Sequence, residues 1–64
     1  MRIRYYCSDY TITTAVIHAL LQGEQQQFEV IKLQSGWNVD VRSITTELHE
    51  RVRLYSPGAT WETL

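Results

Sequence analysis

The side chains with the widest chemical reach in this sequence are one cysteine and two histidines, Cys7, His18 and His49. Cys7 is followed by Ser8 and Asp9, a nucleophile beside a carboxylate, but no base is near it in sequence. The chain has no C-x-x-C or H-E-x-x-H pattern, no phosphate-binding glycine loop and no nucleophile elbow. The sequence therefore predicts no catalytic residues, no metal site and no cofactor, and a function that depends on binding.

Length and charge limit the kinds of partner. The chain has 64 residues, six basic and seven acidic, with a formal net charge of −1. This length predicts a single domain over residues 1–64. A single cysteine cannot pair within the chain and fits a reducing cytoplasm, and no apolar stretch is long enough to suggest a membrane partner. Because there is no basic excess, a nucleic-acid role must depend on a local arrangement of basic side chains.

The first third of the sequence predicts one strand and one helix. Arg2 to Cys7 alternates apolar and polar residues, as a short strand does. Thr13 to Gln22 has apolar residues at helical spacing, with Thr13 or Thr14 as the N-cap and Gly23 as the stop signal. We expect His18 to be partly buried in this helix.

The segment from Phe28 to Leu54 has two interpretations. In the first, residues 28–33 and 37–42 form two strands around a turn at residues 34–36, and a helix follows over residues 43–55. The order β-α-β-β-α, with the Met1-Arg2-Ile3 start, resembles the DinI-like modulators of recombination and SOS proteins. That resemblance implies a small protein-binding modulator with no DNA contact.

In the second interpretation, residues 28–36 form a short helix, Trp37-Asn38 a tight turn, and Asp40 caps a helix over residues 40–50. Asn38 tolerates the left-handed conformation that such a turn needs. The block from Leu33 to Leu48 resembles the core of helix-turn-helix regulators. Its apolar positions are occupied by Leu33, Trp37, Val39, Ile44 and Leu48.

The C-terminal residues favour this second interpretation. Residues 51–55 and 59–64 flank Ser56-Pro57-Gly58, a type II turn signal, and a hairpin there is typical of a wing. The expected fold is small α+β, a winged helix-turn-helix with three helices, a C-terminal β-hairpin wing and a short N-terminal strand. Gln34, Gly36 and the acidic balance depart from the family pattern.

The winged-helix resemblance implies a sequence-specific DNA-binding transcriptional regulator, of the kind found in phages or other mobile elements. Its helix over residues 40–50 is expected in the major groove of double-stranded DNA. The expected DNA-binding residues are Arg42, Ser43, Thr45, Thr46, His49, Arg51 and Arg53.

So few contacts favour a homodimer, with the N-terminal strand pairing across the two-fold axis. The same polar side chains are also compatible with a simple solvated face, and Trp37 and Trp61 with packing. The conformation of residues 28–33 discriminates between the two interpretations, since a helix favours DNA and an extended segment favours a protein partner.

Overall fold

The computed structural model describes all 64 residues and shows a four-stranded antiparallel sheet with two helices. The elements are β1 Ile3–Cys7, α1 Tyr10–Gln22, β2 Phe28–Lys32, β3 Trp37–Val41, α2 Thr46–Tyr55 and β4 Thr60–Thr63. The strand order is β2-β3-β1-β4, so β2 and β4 are the two edges. This is the split β-α-β, or ferredoxin-like, arrangement, an architecture that serves many unrelated functions.

The interior is built around β1. Its side chains at positions 3, 5 and 7 point towards the helices and are at most 1% exposed, as the alternation of the sequence predicts. Helix α1 packs on β1, β3 and α2 but does not approach β2. The apolar core consists of Ile3, Tyr5, Cys7, Val16, Ala19, Leu20, Val39, Val41, Ile44, Leu48 and Val52.

Both helices begin at residues whose side chains satisfy free backbone donors. The Asp9 carboxylate accepts from the backbone N–H of Ile12 at 2.8 Å, and the Thr45 hydroxyl accepts from that of Leu48 at 3.2 Å. Helix α1 therefore starts earlier than predicted, and its N-cap is Asp9, not Thr13 or Thr14. Gly23 ends it as expected, whereas His18 is exposed. Neither helix has the length and apolar character needed to cross a membrane.

The predicted winged helix-turn-helix fold, with three helices and a wing, is wrong. Residues 28–32 form a strand instead of a helix, and Asp40 lies within β3 instead of capping a helix over residues 40–50. The physical reason is the alternation of β3: Val39 and Val41 enter the core, while Asp40 faces the other way and binds Arg4. The helix can start only after Ile44, whose backbone N–H donates to the Met1 carbonyl.

The predicted wing hairpin is also wrong. Helix α2 continues to Tyr55, because Leu48 and Val52 keep the helical apolar spacing and fill the core. Ser56-Pro57-Gly58 then ends the helix, and β4 pairs with β1 instead of with residues 51–55.

The first interpretation describes this chain better. Its two strands around a turn are confirmed as β2 and β3, and its final helix as α2, although β4 adds a sixth element. The expectation that the N-terminal strand pairs across a two-fold axis is wrong, because β1 already pairs with β3 on one side and β4 on the other.

The turn between β2 and β3 depends on Gly36, which has a positive φ of 95°. A methyl group there would come within 2.5 Å of the Cys7 carbonyl oxygen and 2.9 Å of the Tyr6 hydroxyl. We expect Gly36→Ala to lower the free energy of unfolding by about 1–3 kcal/mol, since the strained backbone and the close contact add. Urea denaturation measures this loss.

Gly58→Ala is the matched control for this prediction. A methyl group at Gly58 meets only the end of the flexible Ile12 side chain, at 3.0 Å, and needs no positive φ. Equal losses in the two variants would contradict the role given to Gly36.

Candidate functional site: the free edge of β2

The seven residues expected to bind DNA do not share one helix. Arg42 and Ser43 follow β3 in an exposed loop, Thr45 is the N-cap of α2 and Thr46 is its first residue. Arg42 lies at one end of the uncovered sheet face, where Arg2 and residues of β2 and β3 line a shallow depression. The loop therefore separates Arg42 and Ser43 from the helix on which they were expected.

The other three residues lie on α2, and they divide between the interior and the solvent. His49 is 4% exposed and turned away from any partner outside the chain. Arg51 is exposed, and the Arg53 guanidinium donates to the Glu50 carboxylate at 3.3 Å and lies 5.6 Å from the Trp61 ring. Only Arg51 and Arg53 of the three remain accessible.

His49 forms a small aromatic cluster with strands β1 and β4. Its Nδ1 is 2.7 Å from the Tyr5 hydroxyl, and its ring meets the Trp61 ring edge-on at 4.4 Å between centroids. Its Nε2 is buried without a hydrogen-bond partner. Burial lowers the pKa of His49 and raises that of Tyr5 to about 12, so the cluster is uncharged at neutral pH.

The sheet face that carries no helix is polar and neutralises its own charges. The Arg4 guanidinium makes two 2.8 Å hydrogen bonds to the Asp40 carboxylate on the neighbouring strand. On the other side, Arg4 is 4.0 Å from the Glu62 carboxylate. The hydrogen bonds from Arg4 hold the pKa of Asp40 below its ordinary value of 3.8. This face therefore has neither a basic excess for nucleic acid nor an apolar patch for a protein.

The environment of Cys7 is unsuited to nucleophilic chemistry. It is fully buried, and burial raises the pKa of its thiol, which keeps the sulfur protonated. A buried protonated thiol packs as a small apolar side chain and is a poor nucleophile.

The outer edge of β2 is the longer of the two sheet edges that lack a partner strand. Val30 is 45% exposed on the helix side of this strand and Ile31 is 37% exposed on the opposite side. The strand has no proline, and its pairing with β3 is continuous from Phe28 to Lys32. Uninterrupted edge strands with exposed apolar residues are the ones to which another strand adds most easily.

The alternation of hydrogen-bonded and non-hydrogen-bonded pairs between β2 and β3 shows which backbone groups of β2 are free. The Leu33 N–H donates to the Gly36 carbonyl at 3.0 Å, so Leu33 and Gly36 are a hydrogen-bonded pair. Because such pairs alternate along an antiparallel ladder, Glu29 and Ile31 also bond to β3. The N–H and carbonyl groups of Phe28, Val30 and Lys32 then point outwards. These outward groups are here called the β2 edge.

Helix α1 carries a partly exposed apolar stripe on the side that faces β3. Tyr10, Ile17 and Leu21 share one side of the helix by their spacing, and this set is here called the α1 stripe. Tyr10 is 68% exposed and Leu21 is 53% exposed, while Ile17 packs against the core. The Tyr10 ring lies 6.0 Å from that of Trp37 on β3. The stripe therefore lies on the side of α1 that faces β3.

Lys32, the one lysine of β2, does not block strand pairing at this edge. Its Nζ donates to the Leu33 carbonyl at 2.6 Å and the Gly36 carbonyl at 3.3 Å, and it lies 4.4 Å from the centre of the Trp37 ring. Lysines that block edge pairing project their charge beyond the strand. Lys32 instead folds back over its own hairpin and leaves the edge open.

Sequence reasoning missed this surface. The signal that could have found it is the run Phe28-Glu29-Val30-Ile31-Lys32, which puts an apolar residue on each face of a short strand. Apolar residues on both faces are typical of a strand buried on both sides, and strict alternation is typical of a strand with one buried face. The run therefore indicates an exposed surface only once β2 is known to be an edge strand.

No protein-family model, no curated protein and no solved structure matched this chain.

The Arg4–Asp40 pair predicts a pH-dependent stability. Because the folded pKa of Asp40 is below that of the unfolded chain, its contribution is present above about pH 3.9 and is lost as the pH falls through the folded pKa. We expect Asp40→Asn to be less stable than the wild type at neutral pH, with the difference shrinking in acid. Urea denaturation at neutral and acid pH measures it.

Glu62→Gln is the control, because the Glu62 side chain is exposed and its carboxylate lies 4.0 Å from Arg4, farther than the 2.8 Å of Asp40. It should change stability little, because exposed ion pairs contribute little. A difference between wild type and Asp40→Asn that does not vary with pH would contradict the role of the pair.

The buried His49 predicts a second pH dependence of the stability. Here the cause is the burial of the imidazole, whereas for Asp40 it is the hydrogen bond from Arg4. The folded pKa of His49 lies below the ordinary value of 6.5, so the unfolded chain takes up the proton first as the pH falls. We expect the free energy of unfolding to decrease from neutral pH to mild acid, and to decrease less in His49→Gln. An equal slope in both proteins would show that His49 is not the group responsible.

Proposed function

We propose that this chain is a protein-binding module that takes up an extended segment of a partner protein as an additional strand beside β2. The observation that carries the proposal is the β2 edge, an unguarded row of free backbone donors and acceptors on Phe28, Val30 and Lys32. Strand addition is a common mode of peptide recognition, in which backbone hydrogen bonds supply affinity and side-chain pockets supply specificity.

The exposed apolar surface of β2 itself supports the proposal. A strand added to β2 would place every second side chain on the helix side of the sheet, next to Val30. Val30 is 45% exposed, so contact with apolar side chains would remove this surface from water. The chemistry that fits is therefore an extended segment with apolar residues at alternate positions.

A protein partner is also the alternative that the extended conformation of residues 28–32 favours. The DNA-binding hypothesis was based on a recognition helix over residues 40–50, and the structure forms its second helix over residues 46–55. DNA binding remains a prediction from the resemblance, without the element that was to enter the groove. Cytoplasmic location likewise remains a prediction from the single cysteine.

Val30→Pro tests the proposal at the backbone. The Val30 N–H points outwards, so proline removes a donor of the β2 edge without removing one from the β2–β3 ladder. We expect peptides selected from a displayed library of extended heptapeptides to shift the amide resonances of Phe28, Val30 and Lys32. Their affinity should fall by about tenfold or more in Val30→Pro.

Val30→Thr is the matched control, because it keeps the N–H and the β-branched shape that strands favour. It should retain most of the peptide affinity. Selected peptides that bind Val30→Pro as well as the wild type, or that shift residues of the uncovered sheet face instead, would refute the proposal.

A further inference from the structure

We propose that the segment taken up by β2 is β2 of a second copy, so that two chains form a symmetric dimer with Val30 on the two-fold axis. This inference rests on the proposed function and names its partner. The dimer joins two four-stranded sheets into one continuous eight-stranded sheet.

Two constraints determine which residues of the two β2 strands can face each other. They are the two-fold symmetry and the alternation of inward and outward backbone groups along β2. A two-fold axis perpendicular to the sheet keeps each face on the same side, so paired residues must be an even number of positions apart in sequence. The outward groups belong to Phe28, Val30 and Lys32, which are spaced evenly around Val30. Antiparallel pairing centred on Val30 therefore satisfies all of them, with Val30 opposite Val30 of the second copy and Phe28 opposite its Lys32.

Shifting the centre to Ile31 leaves part of this edge unpaired. Val30 would then face Lys32 of the second copy, but Phe28 would face Gln34, which lies in the turn beyond the strand. The pairing centred on Val30 uses the full length of β2, and the one centred on Ile31 does not.

The side chains tolerate the same pairing. Glu29 comes opposite Ile31 of the second copy and Lys32 comes opposite Phe28, so no two like charges face each other directly. Lys32 has its Nζ held by its own turn, and its aliphatic carbons remain to lie against the Phe28 ring. A net charge of −1 gives little repulsion between the two copies.

The other sheet edge is less suited to self-pairing. Strand β4 has only four residues, and its Trp61 side chain packs against His49. Very short edge strands are one way in which proteins avoid edge pairing. The longer β2, with Val30 exposed on it, is the better edge for a second copy.

Disulfide trapping tests both the dimer and its register. Paired outward residues have Cα atoms about 5.5 Å apart, which a disulfide can span. We expect Val30→Cys to form a covalent dimer under mild oxidation. The native Cys7 does not compete, because it is fully buried.

Lys32→Cys is the matched control. It is on the same side of the same strand, but the two copies of position 32 would be offset by four residues, or about 13 Å, which is too far for a disulfide. We expect no covalent dimer from this variant. Cross-linking of Lys32→Cys in preference to Val30→Cys would overturn the register.

Sedimentation equilibrium of the uncross-linked chain completes the test. We expect the wild type and Val30→Thr to dimerise with increasing concentration, and Val30→Pro to remain monomeric. A wild type that stays monomeric while selected peptides still bind at β2 would overturn the dimer and leave the proposed function standing. A chain that neither self-associates nor binds the selected peptides would overturn both proposals.

Discussion

Strand β1 lies between β3 and β4, and the burial of its three inward side chains is the constraint on which the other elements depend. Ile3, Tyr5 and Cys7 need cover from both helices and hydrogen-bond partners on both sides. With β1 in the centre, β2 is forced to the outside beyond β3. Neither of the two helices packs against it. The free edge of β2 is thus a consequence of how the core is built.

The uncovered sheet face and the β2 edge differ in how many of their polar groups have hydrogen-bond partners within the chain. On the uncovered face, Arg4 and Asp40 pair across strands with two short hydrogen bonds, and a bidentate pair leaves little capacity for a ligand. Along the β2 edge, the backbone groups of three of the five residues point away from β3 without a strand partner, and Val30 among them is 45% exposed. Free backbone groups beside apolar surface favour a protein strand, whereas an ion-paired face favours solvent.

Much of the secondary structure could be predicted from local patterns, and the parts that could not depend on distant contacts. The alternation of β1 and the helical spacing before Gly23 were sufficient to predict the first two elements. Between Phe28 and Leu54 the same residues satisfy both a hairpin and a helix-turn-helix pattern. Distant contacts with β1 make the choice, because Val39 and Val41 enter the core beside β1 and Arg4 binds Asp40 from 36 positions away.

The candidate site was harder to predict for the same reason. His49 was placed on an exposed recognition face because nothing near it in sequence requires burial; Tyr5 and Trp61, from opposite ends of the chain, enclose it. Likewise, the β2 edge is visible only when the strand order is known. A strand with apolar residues on both faces indicates exposure only after the sheet shows that β2 has one neighbour.

Residue-resolved amide hydrogen exchange along β2 tests the central claim most directly. In dilute solution, the N–H groups of Glu29, Ile31 and Leu33 should be protected, while those of Phe28, Val30 and Lys32 exchange quickly. As the concentration rises, the second set should become protected as well. Protection of the Val30 N–H in the dilute monomer, or no change in its exchange over the full range of concentration, would contradict the account.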